Sequence, residues 1–181
     1  MEIVQPIKDM SKIEELKSIL RGNSMRDYLL FVLGINTGFR ISDILNLTVQ
    51  DVRNKTHICI REQKTNKEKR ALINPRLKAE IDNYINDADE NAYLFISQKG
   101  ENKPISRVQA YRILNDAAAS LGLSEIGTHT LRKTFGYWHY QKHNDVALLQ
   151  KLFNHSAPSV TLRYIGIDQD MMDESMKDFF L

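Results

Sequence analysis

The sequence predicts a mainly α-helical domain with a small antiparallel β-sheet, an α+β class, on three observations. Apolar residues recur at helical spacing through most of the 181 residues. The period changes to short β-prone segments only across 57–73, and that stretch bends at the polar, lysine-rich run Lys64-Thr65-Asn66-Lys67-Glu68.

Each element has a local reason. Ser11-Lys12-Ile13-Glu14 has the form of a capping box, and Ile13, Leu16, Ile19 and Leu20 follow at helical spacing, so a first helix runs from there to about Gly22. Ser24 is set to cap a second helix. Its Tyr28, Leu29, Phe31, Val32 and Leu33 are apolar on several sides, which predicts an interior helix stopping around Thr37-Gly38. Ile41, Ile44 and Leu45 predict a short helix over 41–47 with Arg40 at its entrance. Segments 57–61 and 69–73 form the hairpin. Leu77, Ile81 and Ile85 restore a helix after Pro75, 93–96 is briefly extended, and 98–104 is a loop. Ser106 caps a longer helix ending by Gly122, and further helices follow over 130–143, 146–153, 158–164 and 170–180. No internal repeat or low-complexity segment interrupts this order.

Composition bounds the class. A chain of 181 residues that is 42% hydrophobic fills one domain core. A net charge of +2 is too small to indicate nucleic acid by itself. The lone Cys59, within His57-Ile58-Cys59-Ile60, is expected as a small buried hydrophobe, and one cysteine makes no internal disulfide. No basic-then-apolar leader begins at Met1, and no apolar run approaches the ~18 residues needed to span a bilayer, so the chain is expected to be cytoplasmic and free of membrane.

Four places carry chemistry: Arg40 in Thr37-Gly38-Phe39-Arg40-Ile41-Ser42-Asp43, Lys64 at the bend, His129-Thr130-Leu131-Arg132, and His155 with Tyr164 nine residues on. Singly, each has a plain explanation. Arg40 is a helix-end charge that Asp43 can pair, Lys64 a solvated turn residue, His129 a capping or core histidine, and Tyr164 a core-edge aromatic. Three residues apart near a helix start, His129 and Arg132 also share a face where a phosphate meets free amides.

In combination these residues resemble, in order and spacing, the motif boxes of the tyrosine recombinases, or phage integrases. The matching stretches are Thr37 to Asp43, Gln63-Lys64-Thr65-Asn66-Lys67, His129-Thr130-Leu131-Arg132-Lys133-Thr134-Phe135 and the run from His155 to Tyr164. The resemblance covers the chain from about Pro6 to Tyr164. It implies the DNA breaking-rejoining catalytic-domain fold and an enzyme of phages or other mobile elements that performs site-specific DNA recombination or integration. Double-stranded DNA would be its partner, and no cofactor or metal would be needed.

By resemblance, Arg40 and Arg132 clamp the scissile phosphate, His129 and His155 add hydrogen bonds, Lys64 protonates the departing 5′ oxygen, and Tyr164 is the nucleophile that forms a 3′-phosphotyrosyl intermediate. The residue types suit the task. Attack on a phosphodiester builds negative charge on its oxygens, and guanidinium offers a permanent, forked cation to them. A phenol ionises near pH 10, so Tyr164 needs the cationic pocket and a proton acceptor, for which His129 is suited. Lys67, Lys133 and Arg163 are expected to contact DNA.

The chain departs from the family pattern at Lys133, where many members carry His, and at Asn154, where many carry Gly; the second change bears on the turn that aims His155. His139 and His143 are four apart on one helix, but the glutamate of an H-E-x-x-H site is missing and no third ligand is evident, so a metal site is not expected. The whole of 1–181 is expected to be one catalytic domain. Residues 1–10 are expected to form a lead-in, without the separate N-terminal core-binding domain that family members usually carry. Over 168–181 the apolar stripe Met171, Met172, Met176, Phe179 and Phe180 either packs in the core or docks on a neighbouring protomer, driving self-association on DNA. The alternative to an active recombinase is a DNA-binding accessory protein of the same fold with little activity of its own.

Overall fold

The computed structural model describes residues 4–124 and 126–180; the first three residues of the lead-in and Leu181 lie outside them. In chain order the elements are α1 (Met10–Asn23), α2 (Met25–Thr37), α3 (Ile41–Leu45), β1 (His57–Arg61), β2 (Glu68–Leu72), α4 (Pro75–Ile85), α5 (Arg107–Ala119), α6 (Thr130–His143), α7 (Val146–Phe153), α8 (Pro158–Tyr164) and α9 (Ile167–Met176). Among the described residues no helix is long and apolar enough to cross a membrane.

Helix α2 is the axis of the domain. Leu29, Leu30, Phe31 and Leu33 are all buried, because α1, α4 and α6 cover it on several sides. Helix α1 begins a little before the predicted capping box. Asp9 rather than Ser11 is the cap, its carboxylate accepting the Ser11 amide at 2.8 Å and the Ser11 hydroxyl at 2.7 Å. A charged acceptor at the positive end of a helix outcompetes a hydroxyl. Ser24 holds the predicted position before α2, but its side chain makes no capping bond among the described residues. Asn74, Ser106 and Asp145 cap α4, α5 and α7 with their side chains.

The two strands pair antiparallel in the register His57↔Leu72 to Arg61↔Glu68. Ile58 is fully buried, and the next residue on a strand points to the opposite face. Cys59 is therefore exposed, which corrects the expectation of a buried thiol.

A second, smaller apolar cluster of Leu149, Phe153, Ile165 and Ile167 seats α7 and α8 against α6, with Phe135, Tyr140 and Tyr164 packed at its edge. The described part of the lead-in is strapped onto α6. Ile7 donates its amide to Thr134 Oγ1 at 2.9 Å and accepts from Trp138 Nε1 at 2.9 Å, while Lys133 Nζ reaches Val4 O at 2.6 Å. Helix α9 starts and stops a few residues before the predicted 170–180. Gly166, at φ 76°, breaks α8 from it, and only Ile167 of the helix is buried. Met171, Met172, Met176, Phe179 and Phe180 are all exposed, so the stripe is not core of its own chain.

Candidate active site

Arg40 stands immediately before α3, where α2 has just ended in a left-handed turn at Gly38 (φ 64°). That conformation suits glycine, and here it turns the Gly38 carbonyl toward Arg132 Nη1, which donates to it at 2.6 Å. Arg132 lies one turn into α6. Its Nη2 donates to Phe153 O at 3.0 Å and its guanidinium covers the Phe153 ring at 4.3 Å. Two carbonyls and an aromatic face thus hold a buried guanidinium in one orientation.

Arg40 takes Glu62 as its ion-pair partner rather than the Asp43 that the sequence offers. Asp43 instead accepts the Gln63 amide at 3.1 Å through Oδ1. Glu62 Oε1 lies 2.5 Å from Arg40 Nη1, 2.8 Å from Lys69 Nζ and 4.0 Å from Arg132 Nη1. The first two are contacts of charge at hydrogen-bond distance but without hydrogen-bond alignment. Burial opposes ionisation of Glu62, yet Arg40, Lys69 and Thr65 together bring its pKa down to about 2. Removing these cations would strand a buried carboxylate, a cost on the order of 3–5 kcal/mol.

The remaining site residues come from the other side. His129 occupies the N-cap position of α6 without a side-chain cap there, which leaves its ring free, and its Nδ1 lies 3.4 Å from the Tyr164 hydroxyl at the end of α8. His155 follows α7 and engages Thr161 Oγ1 through Nδ1 at 3.0 Å; its ring stands edge-on to Tyr164 with centroids 5.1 Å apart. The turn that delivers it runs through Asn154, at φ 57°. Asn is one of the few side chains that accept this left-handed conformation, so replacing the family's glycine with asparagine keeps the turn. Lys67 Nζ donates to Asn154 Oδ1 at 2.8 Å and so ties the hairpin to the same turn.

The electrostatics differ from the sequence expectation in one respect. Burial raises the Tyr164 pKa above its ordinary value, and the opposing pull of Arg132 and Arg40 does not overcome it. Desolvation of a phenolate outweighs two cations here, so the phenol depends on a base. His129 suits that role. Burial first, then Lys133, Arg132, Arg107 and Arg40, lower its pKa and favour the neutral imidazole. Burial, with Arg132, Lys69 and Arg40, lowers that of His155 further, to about 4.

Arg40, His129, Arg132, His155 and Tyr164 are therefore brought together. Lys64 is not: it lies exposed at the bend and takes no ion-pair or hydrogen-bond partner among the described residues. Lys67 and Arg163 are exposed, whereas Lys133 is half-buried, held by Val4 O and lying 5.2 Å over the Tyr164 ring. His139 and His143 do share a face, ring centroids 4.6 Å apart, beside Phe135. Sequence reasoning missed Glu62, Lys69, Thr161 and Phe153. Glu62 and Lys69 read as ordinary solvated hairpin charges, and only their spatial pairing reveals them.

A phenol set among fixed cations and neutral imidazoles is arranged for an anionic ester, and the class that fold and site define is that of the tyrosine recombinases. The chain belongs to the phage integrase family, whose model matches residues 9–171. It is 56% identical to the "Probable integrase/recombinase YoeC" of Bacillus subtilis (strain 168), over 99% of this chain and 98% of that protein. It is 27% identical to "Tyrosine recombinase XerA" of Pyrococcus furiosus, over 92% of this chain but 59% of the other. Among solved structures, a crystal structure of XerA recombinase superposes with TM-score 0.74 at 18% identity, covering 98% of this chain and 67% of that one. XerH bound to its difH substrate in a pre-cleavage complex superposes with TM-score 0.73 at 19% identity, covering 98% and 55%.

Proposed function

We propose that this chain cuts and rejoins double-stranded DNA through a covalent bond to Tyr164. The observation that carries the reading is the approach of His129 Nδ1 to the Tyr164 hydroxyl, beside two fixed guanidiniums. The Tyr164 oxygen attacks the scissile phosphorus and its proton passes to His129. The bond from phosphorus to the 5′ oxygen breaks, that oxygen takes a proton from a hairpin lysine, and a 3′-phosphotyrosine remains. Arg40 and Arg132 hold the phosphate, and their forks take up the charge that grows on its oxygens. His155 hydrogen-bonds the same group through Nε2. A 5′ hydroxyl then attacks the phosphotyrosine, the lysine takes back the proton, and His129 returns its own to Tyr164. The phosphotyrosine stores the energy of the broken bond, so rejoining needs no nucleotide triphosphate.

Lys64 is the proton donor by motif. Lys69 is a second reading, favoured by its contact with the Glu62 carboxylate that Arg40 and Arg132 also approach, and by a pKa that burial and Arg132 lower. Lys67 and Arg163 contact phosphates of the DNA backbone, a reading their exposure supports, and Lys133, half-buried over the Tyr164 ring, serves mainly to support Tyr164. The exposed stripe of α9 supports self-association on DNA, the helix of one protomer lying on the next. An enzyme with this substrate works in the cytoplasm.

The test is incubation with nicked suicide duplexes drawn from a pool randomised around the nick, with denaturing electrophoresis to reveal protein joined to DNA. The wild-type chain is expected to form the adduct and Tyr164→Phe to form none. No adduct from either, with DNA binding intact, would instead mark an accessory DNA-binding protein. Deleting α9 from Asp168 onward is expected to abolish assembly on DNA, and unchanged assembly would remove the role given to that helix.

A further inference from the structure

The bend that carries Lys64 meets the phosphate clamp at Glu62, beside the bond from the Gln63 amide to Asp43 and the tie from Lys67 to Asn154. Glu62 stands where β1 ends, and its carboxylate is buried. Its Oε1 faces Arg40 and Lys69, while its Oε2 accepts the Thr65 hydroxyl at 2.6 Å. The backbone of the same residue closes the bend: the Glu62 amide donates to Lys67 O at 2.9 Å, and the Asn66 amide donates to Glu62 O at 2.8 Å. One residue therefore touches an arginine of the clamp, Lys69 on the returning strand and the neighbour of Lys64.

We propose that Glu62 is a positioning residue that couples the phosphate clamp to the proton-donating hairpin, so that arrival of the phosphate at Arg40 sets the hairpin lysine against the departing 5′ oxygen. The inference rests on the strand-transfer reading above and holds whichever hairpin lysine donates the proton, since Glu62 reaches Lys69 directly and Lys64 through Thr65. A carboxylate buried beside a phosphate site works against anion binding by its charge alone. Its presence there is accounted for by what it holds, and its pKa of about 2 keeps it ionised throughout the working range of pH.

The chemistry of the leaving group supplies the test. A 5′ alkoxide needs a proton on departure, whereas a 5′ thiolate, with a conjugate acid near pKa ~8.5, leaves without one. Suicide duplexes obtained by covalent capture are made with oxygen or with sulfur bridging the scissile phosphate to the 5′ carbon, and adduct formation is timed in single turnover. Glu62→Gln, which keeps shape and removes charge, is expected to slow cleavage of the oxygen substrate by about 10- to 100-fold and to cleave the sulfur substrate nearly as fast as wild type. Lys64→Ala or Lys69→Ala must show the same restoration, and Arg40→Ala must not.

Thr65→Val removes only the link to Oε2 and leaves the ion pairs intact. It is expected to show a smaller loss with the same restoration, and it carries the test alone if thermal melting shows Glu62→Gln unfolded. Equal slowing on both substrates, or cleavage of the oxygen substrate as fast as wild type, overturns the proposal while the recombinase reading stands. Failure of the wild-type chain to form an adduct with either substrate overturns both.

Discussion

Nδ1 of His129 lies 3.4 Å from the hydroxyl of Tyr164, closing a contact across 35 residues of sequence between the start of α6 and the end of α8. Burial holds the phenol above its ordinary pKa and the imidazole below its own. The two groups are thus set as a proton and its acceptor. The acceptor is competent when neutral, which is above its lowered pKa. The acid limb of the cleavage rate is therefore expected to fall at a pH below 6.5, measured by single-turnover adduct formation between pH 4.5 and 8. His129→Gln should lose that limb and slow cleavage by about 10²- to 10⁴-fold. A midpoint above 6.5 would contradict the assignment.

Acid stability follows from His155 and Glu62. In the folded chain His155 titrates at about 4 instead of 6.5, so the unfolded chain binds the proton more readily. Its contribution is whole above pH 6.5 and is lost as pH falls toward 4. Glu62, at about 2 instead of 4.5, contributes above pH 4.5 and loses its share as pH falls toward 2. Urea midpoints are expected to decline in two overlapping steps. His129 and His139, also held below 6.5, share the upper step, so His155→Gln should reduce the decline between 6.5 and 4 and leave the lower one; an unchanged upper step would show that the other histidines carry it.

Gly136 is where α6 admits the segment carrying Tyr164. A Cβ built there would meet Ile165 Cγ2 at 2.6 Å and Phe153 Cε2 at 2.7 Å, both in the small apolar cluster under Tyr164. Gly136→Ala is expected to cost about 1–3 kcal/mol in denaturant titration. It should also slow adduct formation, because relief of the clash moves α8. Wild-type stability and rate together would show that the crossing yields more easily than its packing suggests.

Asn154 tests the turn that aims His155. Asn154→Gly, which keeps the left-handed conformation, is expected to retain most cleavage and to lose only the bond from Lys67. Asn154→Ala should cost about 1–2 kcal/mol for the strained backbone and lower the cleavage rate further. Equal behaviour of the two variants would show that the side-chain bond, not the backbone, sets the position of His155.

Much of this could be read from the sequence because it lies in periodicity and in runs of adjacent residues. The all-round apolar pattern of α2 foretells its central place, and Arg40, Arg132, His129, His155 and Tyr164 stand in contiguous motifs. The remainder lies in relations that sequence order hides. Glu62 and Lys69 are seven residues apart, and the antiparallel hairpin faces both toward the arginines. Cys59 escapes a reading by residue type, because the two-residue period of the strand turns it away from the core that Ile58 enters. The α1 cap lies two residues earlier than the capping box because the Asp9 carboxylate takes the Ser11 amide and hydroxyl and starts the helix at Met10. The C-terminal stripe has a helical period whether or not it packs in its own core, and only its exposure shows that it does not.

The nucleophile and the bond it makes define the proposed reaction. Covalent adduct formed on a nicked suicide duplex, digested with nuclease and protease and sequenced by mass spectrometry, is expected to carry a nucleotide 3′-phosphate on Tyr164. A modification on any other residue, or a linkage through a 5′ phosphate, would contradict it.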